Sequence, residues 1–203
     1  MVKTVLGNSL HLIKNNNKVL VMGVMHGDEP QGKYLIEKYL ESHENSNIMF
    51  IPCVNPDGLA AGTRVNANGV DINRNFPTAN WEHSEKGNFF GGENPASEIE
   101  TQFVIDTIEK YKPSLILTLH APYKVVNYDG KAQEVAEQIS KIIGYPVQKS
   151  IGYPTPGSFG TWAGIGRNIP TITLELDEEI DVKELEKPVF EIFKMLEQYG
   201  IKE

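Results

Sequence analysis

The feature that most limits the fold is a set of short, almost unbroken apolar runs. They are Lys18-Val-Leu-Val-Met-Gly-Val-Met25, Asn47-Ile-Met-Phe-Ile-Pro-Cys-Val54, Ser114-Leu-Ile-Leu-Thr-Leu119 and Pro170-Thr-Ile-Thr-Leu-Glu-Leu176. A strand with one face in water alternates polar and apolar residues, whereas a run apolar at both parities must be covered on both faces. Segments with apolar residues at helical spacing lie between and after these runs. Gln31 to Glu41 carries Tyr34, Leu35, Tyr39 and Leu40 and opens just after Pro30, a residue suited to a first helical turn. Ser97 to Lys110 carries Ile99, Phe103, Val104 and Ile108; Lys131 to Ile143 follows, and Val182 to Tyr199 closes the chain with Pro188 expected to interrupt it near its start. Such alternation predicts an α/β fold: a mixed, mostly parallel central sheet with helices on both faces, in a single domain over residues 1–203.

Composition narrows the function. With 203 residues, 40% hydrophobic and 23% charged, the chain is that of an ordinary folded protein and not a disordered or fibrous one. A chain this long buries roughly 70% of its unfolded surface and needs no disulfide staples. The single cysteine, Cys53, accordingly reads as a small core residue. The net charge of −8, from 27 acidic and 19 basic residues without a Lys/Arg stripe, argues against a nucleic-acid partner. No apolar stretch approaches the 18 or so residues of a membrane span, and the N-terminus lacks a basic-then-apolar leader, so a soluble cytoplasmic protein without a membrane partner is expected.

Two segments break the pattern. Asn55 to Pro95 is rich in Asn, Gly and Pro and has little periodicity; Gly144 to Gly166 carries Pro146, Pro154 and Pro156. Long irregular segments on a rigid scaffold are where binding chemistry is expected.

Three groups of residues could supply that chemistry. His26-Gly-Asp-Glu29 follows the first apolar run, so it should lie at a strand's carboxyl edge, where open α/β sheets bind ligands. An imidazole and a carboxylate three residues apart can share a zinc ion, although Asp28 or Glu29 would serve equally as a helix N-cap. His120 ends another apolar run; two His and one Glu with a position left for water is the ligand count of a catalytic zinc. His11, His43 and His83 have no such placement and read as surface or packing residues. Asp71-Ile-Asn73-Arg74-Asn75 is either a polar turn or a guanidinium fork flanked by amides that holds a carboxylate, and Arg64 lies on the same segment. Glu175, inside an apolar strand, faces outward or is a partly buried base with a raised pKa.

Taken in order, His26-Gly-Asp-Glu29, Asn55-Pro-Asp-Gly58, Gly69-Val-Asp-Ile-Asn-Arg-Asn-Phe76, His120, Gly157-Ser-Phe-Gly-Thr-Trp162 and the strand bearing Glu175 resemble the zinc carboxypeptidases of peptidase family M14 over nearly the whole chain. The resemblance implies one zinc ion held by His26, Glu29 and His120, with Glu175 as the base toward water and Arg64 polarising the scissile carbonyl. It further implies Asn73 and Arg74 as the clamp on a substrate's terminal carboxylate, Asp71 as the acid that orients His26, and Tyr153 as the substrate cap. The expected partner is thus a small peptide with a free C-terminal carboxylate.

Within the family, Gly69 to Trp81 and Gly152 to Trp162 look most like the murein peptide amidases. These remove diaminopimelate from the γ-D-glutamyl bond of the murein tripeptide in cell-wall recycling. Gly160 and Thr161 would then form small, polar pocket walls for a second amino acid head. Phe89, Phe90, Glu82 and Glu85 either line the entrance or merely decorate the loop. The alternatives are an N-acyl amino acid deacylase of the succinylglutamate desuccinylase or aspartoacylase kind, and a peptide-binding relative without catalysis. Retention of Glu175 and Arg64 argues against the latter.

Overall fold

The computed structural model describes residues 2–14, 18–149 and 154–199. Val2–Lys3 (β1) and Ser9–Leu10 (β2) pair antiparallel in a small hairpin. Val19–Gly23 (β3), Met49–Ile51 (β4), Leu115–His120 (β5), Val125–Asp129 (β6), Val147–Gln148 (β7) and Thr171–Glu175 (β8) form one six-stranded sheet in the order β4-β3-β5-β8-β6-β7. The first four in that order run parallel; β6 is antiparallel to β8 and β7 parallel to β6. This is the mixed, mostly parallel sheet that the apolar runs require.

Both faces are covered. Val19 and Val21 point to one side, where Leu35 and Ile36 of α1 (Gln31–Ser42) and Ile192 and Phe193 of the C-terminal helix Glu186–Glu197 bury them. Leu20 and Met22 point to the other, against Val104 and Ile108 of the helix Ile99–Tyr111 and against Phe76, Phe159 and Trp162 from the irregular segments. Each such buried side chain contributes about 1.5–3 kcal/mol, so the aromatic trio anchors the irregular segments to the sheet.

Several expectations are corrected. The first apolar run pairs only through Gly23, because Val24 takes a left-handed φ of 52° and turns the chain off the sheet. The segment after Asn55 is not wholly irregular: Pro56–Ala61 is a short helix (α2), with Asn55 Oδ1 accepting from the Gly58 N–H at 2.9 Å and Gly62 closing it at φ 64°. Pro188 does not interrupt the last helix; it sits in that helix's first turn, where its missing N–H has no helical partner to lose. A separate 3₁₀ turn, Val182–Leu185, precedes it. Cys53 is half-buried instead of lying in the core, and burial pushes its thiol up to about 12. The strand β6 turns polar after Val125 and Val126 and β7 has only two residues, so neither stands out as an apolar run.

Candidate active site

Parallel register brings three side chains to one sheet edge. Gly23 pairs with Leu119 and His120 pairs with Glu175, so the carboxyl ends of β3, β5 and β8 lie side by side. His26 and Glu29 stand in the turn between β3 and α1. A Cβ at Gly27 would come within 2.0 Å of the Gly58 carbonyl carbon, so only glycine lets this turn lie against α2. Gly27 N and Asn55 Nδ2 both donate to the Arg64 carbonyl at 3.3 Å, which ties the Arg64 backbone to the same turn. The helix α1 begins without a side-chain cap, so the capping alternative for Asp28 and Glu29 is not realised.

His26, Glu29 and His120 offer ligand atoms within 4.8 Å of one another, and all three residues are buried. The two Nδ1 atoms stand 3.2 Å apart; Glu29 Oε1 lies 2.8 Å from His26 Nδ1 and Oε2 2.9 Å from His120 Nδ1. Donors at zinc–nitrogen and zinc–oxygen bond lengths on a tetrahedral ion would be roughly 3.3 Å apart, so two nitrogens and one carboxylate at these separations suit zinc. Asp71, fully buried, meets His26 Nε2 at 3.1 Å and accepts from Arg64 Nε at 3.1 Å. Holding Nε2 leaves Nδ1 as the face turned to Glu29 and His120. Arg64 Nη1 stands 3.6 Å from Glu29 Oε1, and the Ala121 N–H donates to Glu29 Oε2 at 3.2 Å.

The charges follow from these contacts. Burial alone would pull His26 down, but Asp71 and Glu29 outweigh it and raise it to about 9. Burial would raise Glu29, yet His120 and His26 hold it well below the usual carboxylate range. Asp71 is likewise held at about 2 by His26, Arg64 and Arg74 against its burial. Glu175 differs: burial pushes it up, Glu29 adds to this, and its Oε2 is a buried oxygen without a hydrogen-bond partner. A partly desolvated carboxylate at a sheet edge beside two histidines is equipped to take a proton. The raised pKa expected of Glu175 is thus present, and its side chain is turned inward.

His26, Glu29, His120 and Glu175 line a cavity of 210 Å³ together with Arg64, Asn73 and Arg74. Asn73 Oδ1 accepts from the Phe159 N–H at 2.8 Å, so its amide NH₂ is the end left for a ligand. Arg74 is buried and donates from Nη1 to the Asn73 carbonyl at 2.7 Å. Asn75 does not join them: it is turned into the protein, donating to the carbonyls of Gly91 and Asn94, and pins the following loop. Of the candidate entrance residues, Phe89 is 57% exposed, with the Arg64 and Arg74 guanidiniums 5.1 and 5.6 Å from its ring centroid, whereas Phe90 is buried in the core. Glu82 and Phe89 line a neighbouring cavity beside Arg74, and Glu85 is exposed. Gly160 and Thr161 line a further cavity that adjoins Glu175. Tyr153 lies outside the described residues. Tyr123 and Thr155, which line the cleft, carry no signal in sequence because only the fold brings them there.

Known proteins resemble this chain over most of its length. The zinc carboxypeptidase family model matches residues 4–141. The murein peptide amidase A of Escherichia coli K12 is 34% identical over 87% of this chain and 78% of that protein, and that of Vibrio campbellii is 32% identical over 81% and 71%. The crystal structure of the murein-tripeptide amidase from Escherichia coli O157 superposes with a TM-score of 0.87 at 29% identity, covering 99% of this chain and 91% of that one. A carboxypeptidase A from Helicoverpa armigera shares the fold, with a TM-score of 0.75 at 19% identity over 99% of this chain and 68% of that one.

Proposed function

The chain belongs to the zinc carboxypeptidase family, and from that premise we propose that it releases the C-terminal residue of a small peptide, its substrate being the γ-D-glutamyl-diaminopimelate bond of the murein tripeptide. The observation that carries the reading is the convergence of His26, Glu29 and His120 beside the unpaired Glu175 carboxylate, with two guanidiniums on the same cleft. Zinc held by these three residues would supply Lewis-acid polarisation and acidify water.

The chain's own groups do the rest. Glu175, made more basic by burial, accepts the proton of the attacking water and returns it to the leaving amine. Arg64, fixed by Asp71 through Nε and Nη2, presents its remaining N–H groups to the oxygen on which negative charge develops. Arg74 and the Asn73 amide hold the terminal carboxylate, which sets the register so that one residue leaves. Asp71 keeps His26 in the orientation that turns Nδ1 inward. Gly160 and Thr161 form the pocket for the departing side chain. The murein amidase relatives support this substrate over an N-acyl amino acid, and the proposed role is that of a cytoplasmic enzyme of cell-wall recycling. Among the described residues no helix is long and apolar enough to cross a membrane.

The test is hydrolysis of L-Ala-γ-D-Glu-diaminopimelate with a free or an amidated terminal carboxylate next to the bond. Chelation should abolish release of diaminopimelate, zinc should restore it, and amidation should raise KM. Undiminished turnover after chelation would overturn the reading.

A further inference from the structure

Arg74 is a buried guanidinium without an anion. It is 7% exposed; among the described residues no ion pair engages it, and its side chain donates once, from Nη1 to the Asn73 carbonyl at 2.7 Å. A buried cation needs compensation, yet a resident carboxylate would occupy the N–H groups that a ligand must claim. Arg64 meets Asp71 and Glu29 along Nε, Nη2 and Nη1, and its side chain is 20% exposed. What the two cations share is the ring of Phe89, whose centroid lies 5.1 Å from the Arg64 Cζ and 5.6 Å from the Arg74 Cζ.

The ring is held there by its backbone. The Phe90 carbonyl accepts from the Asp71 N–H at 2.8 Å; the Gly91 N–H donates to Ser84 Oγ at 3.1 Å, and that hydroxyl donates to the Phe89 carbonyl at 3.3 Å. A Cβ at Gly91 would stand 2.6 Å from the Arg74 carbonyl oxygen, so only glycine lets this loop lie on the backbone of the clamp. Phe90 is turned into the core, whereas Phe89 is 57% exposed and gains little from burial where it stands. An aromatic face attracts a cation through its quadrupole and leaves the in-plane N–H groups of a guanidinium open to oxygen.

We propose that Phe89 is a positioning residue for the reaction. Its ring offsets the charge of Arg74 and Arg64 together, and so holds the carboxylate clamp and the oxyanion arm in place without taking up their hydrogen bonds. This rests on the hydrolase reading above, in which those two guanidiniums meet the substrate; Phe89 acts through them.

The experiment replaces Phe89 in the zinc-loaded enzyme by leucine and, separately, by mono-, di- and trifluorophenylalanine, which keep the ring's shape and drain its quadrupole stepwise. Phe89→Leu should lower kcat/KM on L-Ala-γ-D-Glu-diaminopimelate by about fivefold to thirtyfold, the scale of two exposed cation–π contacts. The loss should divide between the two arms: kcat falls on the free and the amidated terminal carboxylate alike, whereas KM rises only on the free one. Along the fluorinated series kcat/KM should fall with each added fluorine. A flat series would reduce Phe89 to a space-filling residue, and a series that rises with fluorine would make the ring a competitor of the substrate; either overturns the proposal. The second readout needs no turnover. Arg64, Arg74 and Arg167 are the chain's three arginines, so arginine labelled with ¹⁵N gives three side-chain Nε–H signals in the full chain. Phe89→Leu should move those of Arg64 and Arg74 and leave that of Arg167, which lies 3.6 Å over the Trp162 ring, in place. Unmoved Arg64 and Arg74 signals would overturn the proposal. If wild type does not cleave the peptide, the hydrolase reading fails, while the arginine signals still judge the hold of Phe89 on both guanidiniums. Should Phe89→Leu not fold, the fluorinated series decides.

Discussion

Asp71 is where the site can be broken with the least change of shape. Its carboxylate is fully buried and accepts from Arg64 Nε at 3.1 Å, from the Asn73 N–H at 2.8 Å and from the His26 side at 3.1 Å. Asp71→Asn keeps the volume, removes the charge and points an NH₂ at groups that already donate. Burial opposes the charge, but His26, Arg64 and Arg74 hold the carboxyl at about 2, against 3.8 ordinarily. At about 1.4 kcal/mol per pH unit, that difference is worth about 2–3 kcal/mol. Because the folded value is depressed, this stability is present above pH 3.8 and is lost as pH falls toward 2. Breaking a buried pair by removing one partner costs about 3–5 kcal/mol, and Arg64, at 20% side-chain exposure, places this case at the lower end. Urea unfolding of the metal-free variant at pH 7 should therefore show a loss of about 3 kcal/mol with an unchanged slope. Zinc affinity, measured against a chromophoric chelator, should fall about 10- to 100-fold. A loss below about 1 kcal/mol, the size of a surface pair, with unaltered zinc affinity would refute the reasoning.

Glu175→Gln should retain zinc and lower kcat by at least about a hundredfold; wild-type turnover would remove Glu175 from the reaction. Since burial raises the Glu175 pKa and the residue acts deprotonated, the acid limb of kcat/KM should fall above the ordinary glutamate value of 4.5 and vanish in that variant. His26, raised to about 9, contributes stability to the metal-free protein that is full below pH 6.5 and lost as pH rises through about 9. Zinc needs that imidazole neutral, so titration at pH 7 in buffers of different protonation heat should show about one proton released per ion, and none released would contradict the assignment. Arg74→Ala should raise KM about tenfold or more for a free terminal carboxylate while changing little for the amide, and an equal effect on both would count against the clamp.

The sheet edge was legible because each part leaves a local mark. The apolar runs place β3, β5 and β8 in the interior, and His26, His120 and Glu175 follow or close them. The convergence of those three runs depends on strand order, which the individual runs do not carry. Asn75 reads as one of two amides flanking a possible guanidinium fork, yet its amide is taken by Gly91 and Asn94, partners 16 and 19 residues on. The helix α2 carries an Asn cap, a Pro at its first position and a closing Gly, but its six residues are too few for a hydrophobic period to show. The strand β6 stayed hidden for a different reason: its sequence turns polar after Val125 and Val126, and only its pairing with β8 places it in the sheet.

The most direct test of the central claim is incubation of the zinc-loaded protein with L-Ala-γ-D-Glu-diaminopimelate in ¹⁸O-labelled water, with an ordinary C-terminal peptide and an N-acyl amino acid alongside and Glu175→Gln as control, followed by mass spectrometry. The account predicts free, unlabelled diaminopimelate and an L-Ala-D-Glu product that has gained one ¹⁸O. Cleavage at the L-Ala bond, or activity confined to the N-acyl amino acid, would contradict it.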